Sequence, residues 1–262
     1  MDLGLKGKTA LVMASSKGLG KAIAMKLAQE GANVMLASRN EDALKRAAEE
    51  IRNKTNGTID YSVCDLTNPT SIKGVVHATE EVFGPVDILV NNAGGPPAGG
   101  FDQFDDDAWQ KAFELNLLSY VRTIREVLPH MRKQGGGRIL NIASSSIKEP
   151  IEGLILSNTF RNGIAGLAKS LATELGKDQI LINTLGPGRI GTDRLKELDE
   201  VNASNMGLTP EEVRAAKELT IPLGRYGQPE EFANMAVFLC SQANSYVTGQ
   251  ALLVDGGMVK AL

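Results

Sequence analysis

The residues Ser15 to Gly20, with the sequence SSKGLG, have the composition of a turn that binds a phosphate group. A short apolar run at residues 9–13 precedes them, and a segment with helical spacing of apolar residues follows. Backbone N–H groups at a helix N-terminus attract an anion, and glycine lets the backbone come close to it. The alternative is an ordinary strand-to-helix turn in which glycine only supplies a positive φ. The flanking strand and helix favour the phosphate site.

Polar residues recur at the ends of the later predicted strands. They are Ser38-Arg39, Asp65, Asn91-Asn92, Ser144-Ser145-Ser146 and Gly186-Pro187-Gly188. The carboxyl ends of parallel strands lie at one edge of a sheet, and open α/β sheets bind ligands there. Any single cluster has a simpler explanation, because these residue types dominate turns. The recurrence at every strand end favours a binding site along this edge.

The elements that position these residues alternate between strand and helix. After the first strand, further strands are predicted at residues 33–37, 59–63, 86–90, 138–143, 180–185 and 251–254. Two long helices are predicted at residues 105–134 and 154–175, and a helical lid around residues 193–223. This alternation predicts one α/β domain over residues 1–262, a Rossmann-type doubly wound parallel sheet of about seven strands with helices on both faces.

Composition excludes several classes of function. The net charge of −3 comes from mixed acids and bases, so no nucleic-acid footprint is visible. Cys64 and Cys240 are too few for a disulfide framework or a metal cage, and His77 and His130 lie in predicted helices as surface or capping residues. No metal site is therefore expected. Without a signal peptide or a run of about 18 apolar residues, a soluble cytoplasmic protein is expected.

Several longer motifs extend the pattern. Residues 91–94 have the sequence NNAG, residues 183–192 have the sequence NTLGPGRIGT, and the stretches IPLGRYGQPEE and LLVDGG follow. With the glycine turn, they resemble the classical short-chain dehydrogenase/reductase family over about residues 5–258. Within it the sequence is most similar to the β-ketoacyl-carrier-protein reductases, which use NADP(H). The resemblance implies cofactor contacts from Ser15, Ser16, Lys17, Gly18, Leu19, Gly20, Arg39, Asp65, Leu66, Asn92, Ala93, Gly94, Pro187, Gly188, Ile190 and Thr192.

The same resemblance implies a catalytic group of Asn116, Ser144, Ser157 and Arg161, and here the chain departs from the family. The family's tyrosine and lysine fall on Ser157 and Arg161, while its first motif glycine falls on Ala14. The tyrosine gives a proton to the carbonyl oxygen during reduction, helped by the charge of the lysine. Serine is a much weaker acid and shorter by a ring, and arginine does not release a proton.

Ser157 and Arg161 lie one helical turn apart and are expected to point inward. An inward arginine needs partners, and two arrangements are open: a contact with the cofactor ribose, or an ion pair with Glu149 or Glu152. Asn116 is expected on the buried side of its helix, where a side-chain amide must be hydrogen-bonded. It is either a satisfied core residue or, as the resemblance favours, a residue that holds water opposite Ser144.

Two classes of function stay open. The first is an NADP(H)-dependent oxidoreductase acting on a carbonyl or alcohol, with a 3-oxoacyl compound among the candidates and a water held by Ser157 or Asn116 in place of the tyrosine. The second is a non-catalytic family member that binds nucleotide or serves as a structural component. Retention of Asn116 and Ser144 favours the first, and loss of the tyrosine and lysine favours the second.

Cofactor choice and assembly complete the expectations. Residues 37–40 carry no acid to hold a ribose 2′-hydroxyl, whereas Arg39 and Lys17 offer positive charge to a 2′-phosphate, so NADP(H) is expected over NAD(H). Both long helices carry apolar residues beyond one stripe, which predicts a second packing partner. The resemblance implies a homo-oligomer, most often a tetramer, with a small-molecule or acyl-thioester substrate.

Overall fold

One parallel sheet organises the structure. The computed structural model describes residues 2–55 and 57–261, within which the sheet has seven strands in the order β3-β2-β1-β4-β5-β6-β7. The strands are β1 Thr9–Met13, β2 Asn33–Ser38, β3 Ile59–Val63, β4 Ile88–Asn91, β5 Gly137–Ile142, β6 Ile180–Pro187 and β7 Ala251–Val254. All six neighbouring pairs are parallel. The predicted fold class is confirmed.

Nine α-helices accompany the strands in the described residues. They are α1 Gly18–Gln29, α2 Glu41–Lys54, α3 Pro69–Phe83, α4 Asp106–Phe113, α5 Ser119–Lys133, α6 Ile155–Leu175, α7 Asp193–Met206, α8 Pro210–Glu218 and α9 Pro229–Cys240. Side-chain caps fix several boundaries: Asn40 accepts a hydrogen bond from the Ala43 N–H at 2.8 Å, and Asn68 caps α3 ahead of Pro69. In the part of the chain the structure describes, no helix has the length and apolarity to cross a membrane.

Helices cover both faces of the sheet, and this explains the apolar strands. All five residues of β1 are buried, as expected for a parallel strand with packing on both sides. Ile23 of α1 and Phe232 of α9 belong to the core on one face, while Ile72 of α3 and Ile164 of α6 belong to the core on the other. Each such buried side chain contributes about 1.5–3 kcal/mol relative to an exposed one.

The chain reverses its direction of winding at β1. Val12 of this strand pairs with Leu36 of β2 on one side and Val90 of β4 on the other. The helices that follow the two halves of the chain leave a crevice at the carboxyl ends of β1 and β4. Doubly wound sheets bind their ligands at the point where the strand order reverses. The glycine turn lies next to this point, because it directly follows β1.

The long helix predicted over residues 105–134 is present from Asp106 to Lys133, but its hydrogen-bonding pattern changes in the middle. Between α4 and α5 lies a π-helical segment, Glu114–Leu118, that adds a residue to the turn. The extra residue changes which side chains face the sheet: Tyr120 and Ile124 are buried, whereas Trp109 and Phe113 are only partly covered. Asn116 lies inside the segment and is fully buried.

The predicted lid consists of α7 and α8, which have little apolar core of their own. The residues that α7 buries are Asp199 and Ala203, and the one that α8 buries is Val213. Several large apolar side chains of the lid region are exposed, among them Met206 and Leu219. A pair of helices with so few buried apolar contacts depends on polar contacts for its position.

Candidate active site

The carboxyl edge of the sheet opens into one long cleft with a volume of about 1060 Å³. It runs from the glycine turn and the end of β2, past the ends of β4 and β5, to the lid. The predicted site residues in its wall are Ser16, Lys17, Gly18, Leu19, Arg39, Asp65, Leu66, Asn92, Ala93, Gly94, Ser144, Ser157, Arg161, Pro187, Gly188, Ile190 and Thr192. Contributions from six strand ends explain why residues so far apart in sequence meet here.

Ser15 and Gly20 were predicted to contact the cofactor, but they lie behind this wall. The Ser15 hydroxyl donates to the Val12 carbonyl at 2.8 Å and accepts from the Ala37 N–H at 3.0 Å, which joins the ends of β1 and β2. A Cβ atom on Gly20 would lie 2.5 Å from the Ala14 carbonyl oxygen. Both residues therefore shape the turn from behind. The Ser15 hydroxyl is occupied by backbone groups, and the space next to Gly20 is too small for a side chain.

Ala14 keeps the backbone conformation that a glycine would adopt. Its φ is +47°, in the left-handed region that costs an L-residue about 1–2 kcal/mol. Its carbonyl accepts a hydrogen bond from Nδ2 of Asn92 at 3.2 Å, which ties the glycine turn to the end of β4. The turn thus keeps its shape with alanine, at the expense of local strain.

The far end of the cleft carries hydroxyls and positive charge. The Ser16 and Ser38 hydroxyls lie 3.1 Å apart, and the exposed Arg39 follows directly. The pKa of Asp65 lies below its ordinary value, mainly because its carboxylate accepts from the Thr67 N–H and hydroxyl, with a smaller effect of Arg39. No carboxylate follows β2 at Ser38, where a ribose 2′-hydroxyl would need an acceptor.

Lys17, predicted to offer positive charge to a 2′-phosphate, lies in the cleft wall and also faces the lid. Its Nζ lies 3.9 Å from Asp193, the first residue of α7, in a largely exposed pair. A mobile surface pair of this kind is worth little. Lys17 therefore bridges the glycine turn and the lid across the cleft, and its charge is partly balanced before any ligand binds.

Arg161 is buried beneath the cleft and is held by backbone and hydroxyl oxygens. Nη1 donates to the Ile142 carbonyl and to the Tyr120 hydroxyl, each at 2.9 Å, and Nη2 donates to the Ala93 carbonyl at 3.2 Å. Among the described residues no carboxylate lies within 4.0 Å of it, so the predicted alternative of an ion pair with Glu149 or Glu152 is wrong. Arg161 joins the ends of β4 and β5 and leaves a positive charge under the cleft floor.

Tyr120 is the partner that sequence reasoning missed. Its hydroxyl donates to the Ile142 carbonyl at 2.8 Å while it accepts from Arg161. Burial raises the pKa of this phenol, against the opposing effect of the Arg161 charge. A buried tyrosine needs a partner for its hydroxyl, and that requirement was the available signal. The side chain is outside the cleft wall and does not reach a ligand there.

Three polar side chains at the catalytic end have free hydrogen-bonding capacity. The Ser144 hydroxyl accepts from the Ser146 N–H at 3.1 Å and keeps its own proton to donate. In the described chain the Ser157 hydroxyl has no hydrogen-bond partner, and neither the amide oxygen nor the amide nitrogen of Asn116 has one. Buried amides are normally paired, so Asn116 is suited to hold a water molecule. It lies behind the wall rather than in it.

The substrate half of the cleft is mainly apolar. Its apolar wall residues come from the loops after β4 and β5, from the π-helical segment, from the lid and from the segment after β7: Pro96, Ala98, Leu115, Ile151, Leu154, Leu195, Leu198, Val201, Met206 and Met258. Arg194 closes one side, since its Nη2 donates to the Pro96 carbonyl at 2.9 Å. No tyrosine or histidine of the described residues lines the cleft, so no phenol or imidazole acid reaches a ligand.

Comparisons with known proteins agree with this geometry. A family model described as enoyl-(acyl carrier protein) reductase matches residues 13–259. The short chain dehydrogenase/reductase astE of Aspergillus oryzae is 36% identical over 256 residues, covering 97% of this chain and 95% of the relative. The 3-oxoacyl-[acyl-carrier-protein] reductase FabG of Aquifex aeolicus is 36% identical over 258 residues, covering 98% of this chain and 100% of the relative.

Solved structures give the same result. L-sorbose reductase from Gluconobacter frateurii, complexed with NADPH and L-sorbose, superposes with a TM-score of 0.95 at 35% identity and 100% coverage of both chains. A 7α-hydroxysteroid dehydrogenase complexed with NADH has a TM-score of 0.90 at 35% identity, covering 100% of this chain and 98% of that one. On its sheet, its strand-end cleft and these full-length matches, the chain belongs to the short-chain dehydrogenase/reductase family.

Proposed function

We propose that this protein is an NADP(H)-dependent oxidoreductase that acts on a carbonyl or alcohol substrate, with altered proton delivery. The observation that carries the proposal is the single cleft that joins the Ser38–Arg39 end to Ser144 and Ser157. A dinucleotide needs such an extended site, and a substrate carbonyl needs a hydroxyl donor where the nicotinamide ends. The similarity to FabG makes a 3-oxoacyl compound one candidate, and the similarity to L-sorbose reductase makes a sugar ketone another.

The residues present fit the dinucleotide. The cradle at the glycine turn admits no side chain at Gly20, and the Asn92 amide holds the turn in place. Gly18, with φ of +58°, opens α1 and presents its first N–H groups to the cleft. When bound, the nicotinamide supplies or accepts the hydride. Arg39 and the hydroxyls of Ser16 and Ser38 would hold a 2′-phosphate, because they offer donors and charge and no carboxylate directly follows Ser38.

The proton is the step that this chain must manage differently. Ser144 donates a hydrogen bond to the substrate oxygen, and Ser157 holds a water molecule in the space of the missing ring. Asn116 anchors a second water behind the wall. The Arg161 charge lies beneath the oxygen and stabilises negative charge there without transferring a proton, because a guanidinium stays protonated. Water therefore delivers the proton, with Ser144 and Ser157 orienting it, and the hydroxide that remains takes up a proton from bulk solvent through the cleft.

A fluorescence titration with NADPH and NADH tests the cofactor assignment. Wild type is expected to bind NADPH more tightly than NADH. Arg39→Gln is expected to weaken NADPH binding by about 10-fold to 100-fold, the value of one charged hydrogen bond, and to leave NADH binding unchanged. Arg46→Gln, an exposed arginine of α2, is the matched control. Equal affinity for the two cofactors in wild type contradicts the assignment, and a subsequent carbonyl screen identifies the substrate.

A second candidate is a nucleotide-binding family member that does not turn over. The observation that favours it is Arg161, whose Nη1 and Nη2 are bound to Ile142, Tyr120 and Ala93 rather than directed at a ligand. NADPH binding without NADPH consumption across ketones, sugar ketones and 3-oxoacyl thioesters would establish this candidate. Consumption of NADPH with any one of these substrates would exclude it.

A further inference from the structure

A buried polar cluster lies at the junction of the cleft and the lid, and the proposed reaction does not use it. Arg189 follows β6, between Gly188 and Ile190 of the cleft wall, and its Nη1 donates to Oδ1 of Asp199 on α7 at 3.1 Å and to the Tyr226 hydroxyl at 3.2 Å. The Tyr226 hydroxyl donates to the other oxygen of Asp199 at 3.0 Å. The three side chains form a closed triangle of hydrogen bonds.

The cluster connects the loop after β6, both lid helices and the segment before α9. Asp199 comes from α7, Tyr226 from the segment before α9, and the guanidinium of Arg214 on α8 lies 5.0 Å from the centre of the Tyr226 ring. The Arg189 guanidinium lies 5.7 Å from the same ring. The backbone joins as well, since the Gly227 N–H donates to the Arg189 carbonyl at 2.9 Å. One tyrosine thus connects the loop after β6 with both lid helices.

Because this cluster is buried, its hydrogen bonds help to hold the lid in position. The side chains of Arg189 and Asp199 are only 18% and 7% exposed, whereas most ion pairs of the protein are at the surface. Removing one partner of a buried pair leaves an uncompensated charge, which is strongly destabilising. Asp199 is also one of just two buried residues of α7. The lid is consequently held in place by a polar contact, whereas a core helix is held in place by apolar contacts.

We propose that Arg189, Asp199 and Tyr226 form a latch that makes the loop after β6 and the lid move as one body. Since Gly188 and Ile190 line the cofactor part of the cleft, a dinucleotide that orders this loop also orders α7 and α8 over the substrate half. Asp199 and Tyr226 are positioning residues, acting through Arg189 rather than on the ligand. The proposal rests on the proposed function in one respect, that NADPH occupies the cleft.

Hydrogen–deuterium exchange of lid peptides from residues 193–218, with and without NADPH, tests the latch. Asp199→Asn is expected to speed lid exchange at least 10-fold without cofactor, while exchange in β1 and β4 is unchanged. NADPH is expected to slow lid exchange in wild type and to lose that effect in the variant, although the glycine turn still binds it. Tyr226→Phe, which keeps the ring and loses one hydroxyl, is expected to give the same changes to a smaller extent.

Glu200→Gln is the matched control, because Glu200 adjoins Asp199 on α7 but its side chain is exposed. Its lid exchange is expected to equal that of wild type. Wild-type lid exchange in both latch variants without cofactor, or full NADPH protection of the lid in them, overturns the proposal. If Asp199→Asn does not fold, Tyr226→Phe alone decides. Absence of NADPH binding to wild type refutes the proposed function instead, and the cofactor-free comparison still decides the latch.

Discussion

At the scale of single residues, the site contains three residues with an unusual backbone conformation or unusual hydrogen bonding. Ala14 occupies a left-handed conformation, Arg161 is a buried cation bound to neutral oxygens, and Asn116 is a buried amide without a partner in the described chain. Each state costs stability, and such costs persist where a function requires them. All three residues lie in or directly behind the wall of one cleft. Two of these states lead to direct tests at this scale.

Replacing Ala14 by glycine should relieve the strain of the turn. We expect Ala14→Gly to raise the free energy of unfolding by about 1 kcal/mol, because glycine adopts positive φ without penalty. NADPH should bind at least as tightly, since a methyl group leaves the cleft wall. Urea unfolding and an NADPH titration measure the two effects.

Gln179→Gly provides the control for this substitution. Gln179 is the other described non-glycine residue with positive φ, at +56°, and it ends the turn before β6 far from the glycine turn. It should gain similar stability with no change in NADPH affinity. A loss of stability in Ala14→Gly would show that the alanine methyl makes packing contacts worth more than the strain.

Restoring the family's acid tests the assignment of Ser157 and Arg161. We expect Ser157→Tyr with Arg161→Lys to raise NADPH consumption with a ketone substrate at least 10-fold, because general acid catalysis contributes about 10²–10⁴-fold. Ser157→Tyr alone should gain less, since the arginine stays bound to the Ile142 and Ala93 carbonyls. The assay is NADPH absorbance, with the unfolding midpoint of each variant determined in parallel.

The alanine variants complete this test. If wild type already reduces ketones rapidly, and Ser157→Ala and Arg161→Ala leave that rate unchanged, the proton comes from another group. The two residues would then be structural, and the water-mediated proton delivery proposed above would be wrong.

At the scale of secondary-structure elements, the π-helical segment is the feature that the sequence did not reveal. The spacing of apolar residues predicts a helix over residues 105–134. A π-helical segment changes this spacing by only one added residue, so the sequence pattern does not reveal it. What distinguishes it is a tertiary contact, the buried position of Asn116 beneath the cleft. The sheet, by contrast, followed from apolar runs and caps such as Asn40, because those signals are local.

The hydrogen-bond partners of Arg161 could not be predicted from the sequence for the same reason. Arg161 binds oxygens of residues 93, 120 and 142, which are distant in sequence and carry no pattern that marks them as neighbours. Charge alone suggested Glu149 and Glu152, which are near in sequence but absent from its contacts. Most of the strand-end residues predicted from sequence spacing lie in the wall of one cleft, whereas their individual partners could be identified only in the folded structure.

Asn116 allows stability and function to be separated within this element. Asn116→Leu should leave the free energy of unfolding unchanged or raise it by about 1 kcal/mol, because an apolar side chain of similar volume replaces a buried amide whose only partner is the proposed water. NADPH consumption with the substrate found in the screen should fall, since a bound water is lost. Urea unfolding and steady-state rates measure the two changes.

Asn91→Leu is the matched control, with a different expectation for stability. The Asn91 amide is paired, donating to Asn141 at 3.0 Å and accepting from the Thr123 hydroxyl at 2.5 Å. Removing it should lower the free energy of unfolding. If both variants lose stability equally, Asn116 has a structural partner and does not serve as a water site.

At the scale of the whole molecule, one surface carries a partly exposed cluster of aromatic side chains. The rings of Trp109 and Phe160 lie 5.8 Å apart, and Phe113 lies 6.0 Å from Phe160, on the outer side of α4 and α6. These side chains are only partly covered within one chain, as are Leu118 and Ile155. A partly exposed aromatic cluster between two long helices is typical of a subunit interface.

We propose that this surface assembles a homo-oligomer, a tetramer as the family resemblance implies. Phe160→Glu should shift the mass measured by light scattering at micromolar concentration toward the monomer, because a charge in an apolar interface is not compensated. Tyr246→Glu, at a side chain that is 97% exposed elsewhere, should leave the mass unchanged. A monomeric wild type at that concentration contradicts the assignment.

The contacts of Arg161 also have a consequence for how the site can be redesigned. A lysine at position 161 offers one ammonium to oxygens that a planar guanidinium now serves together, so a single change there loosens the ends of β4 and β5. A tyrosine at position 157 alone gains an acid without its tuning partner. The two positions are therefore coupled: one change costs stability without adding an acid, the other adds an acid of limited use, and only both together give the full gain in rate.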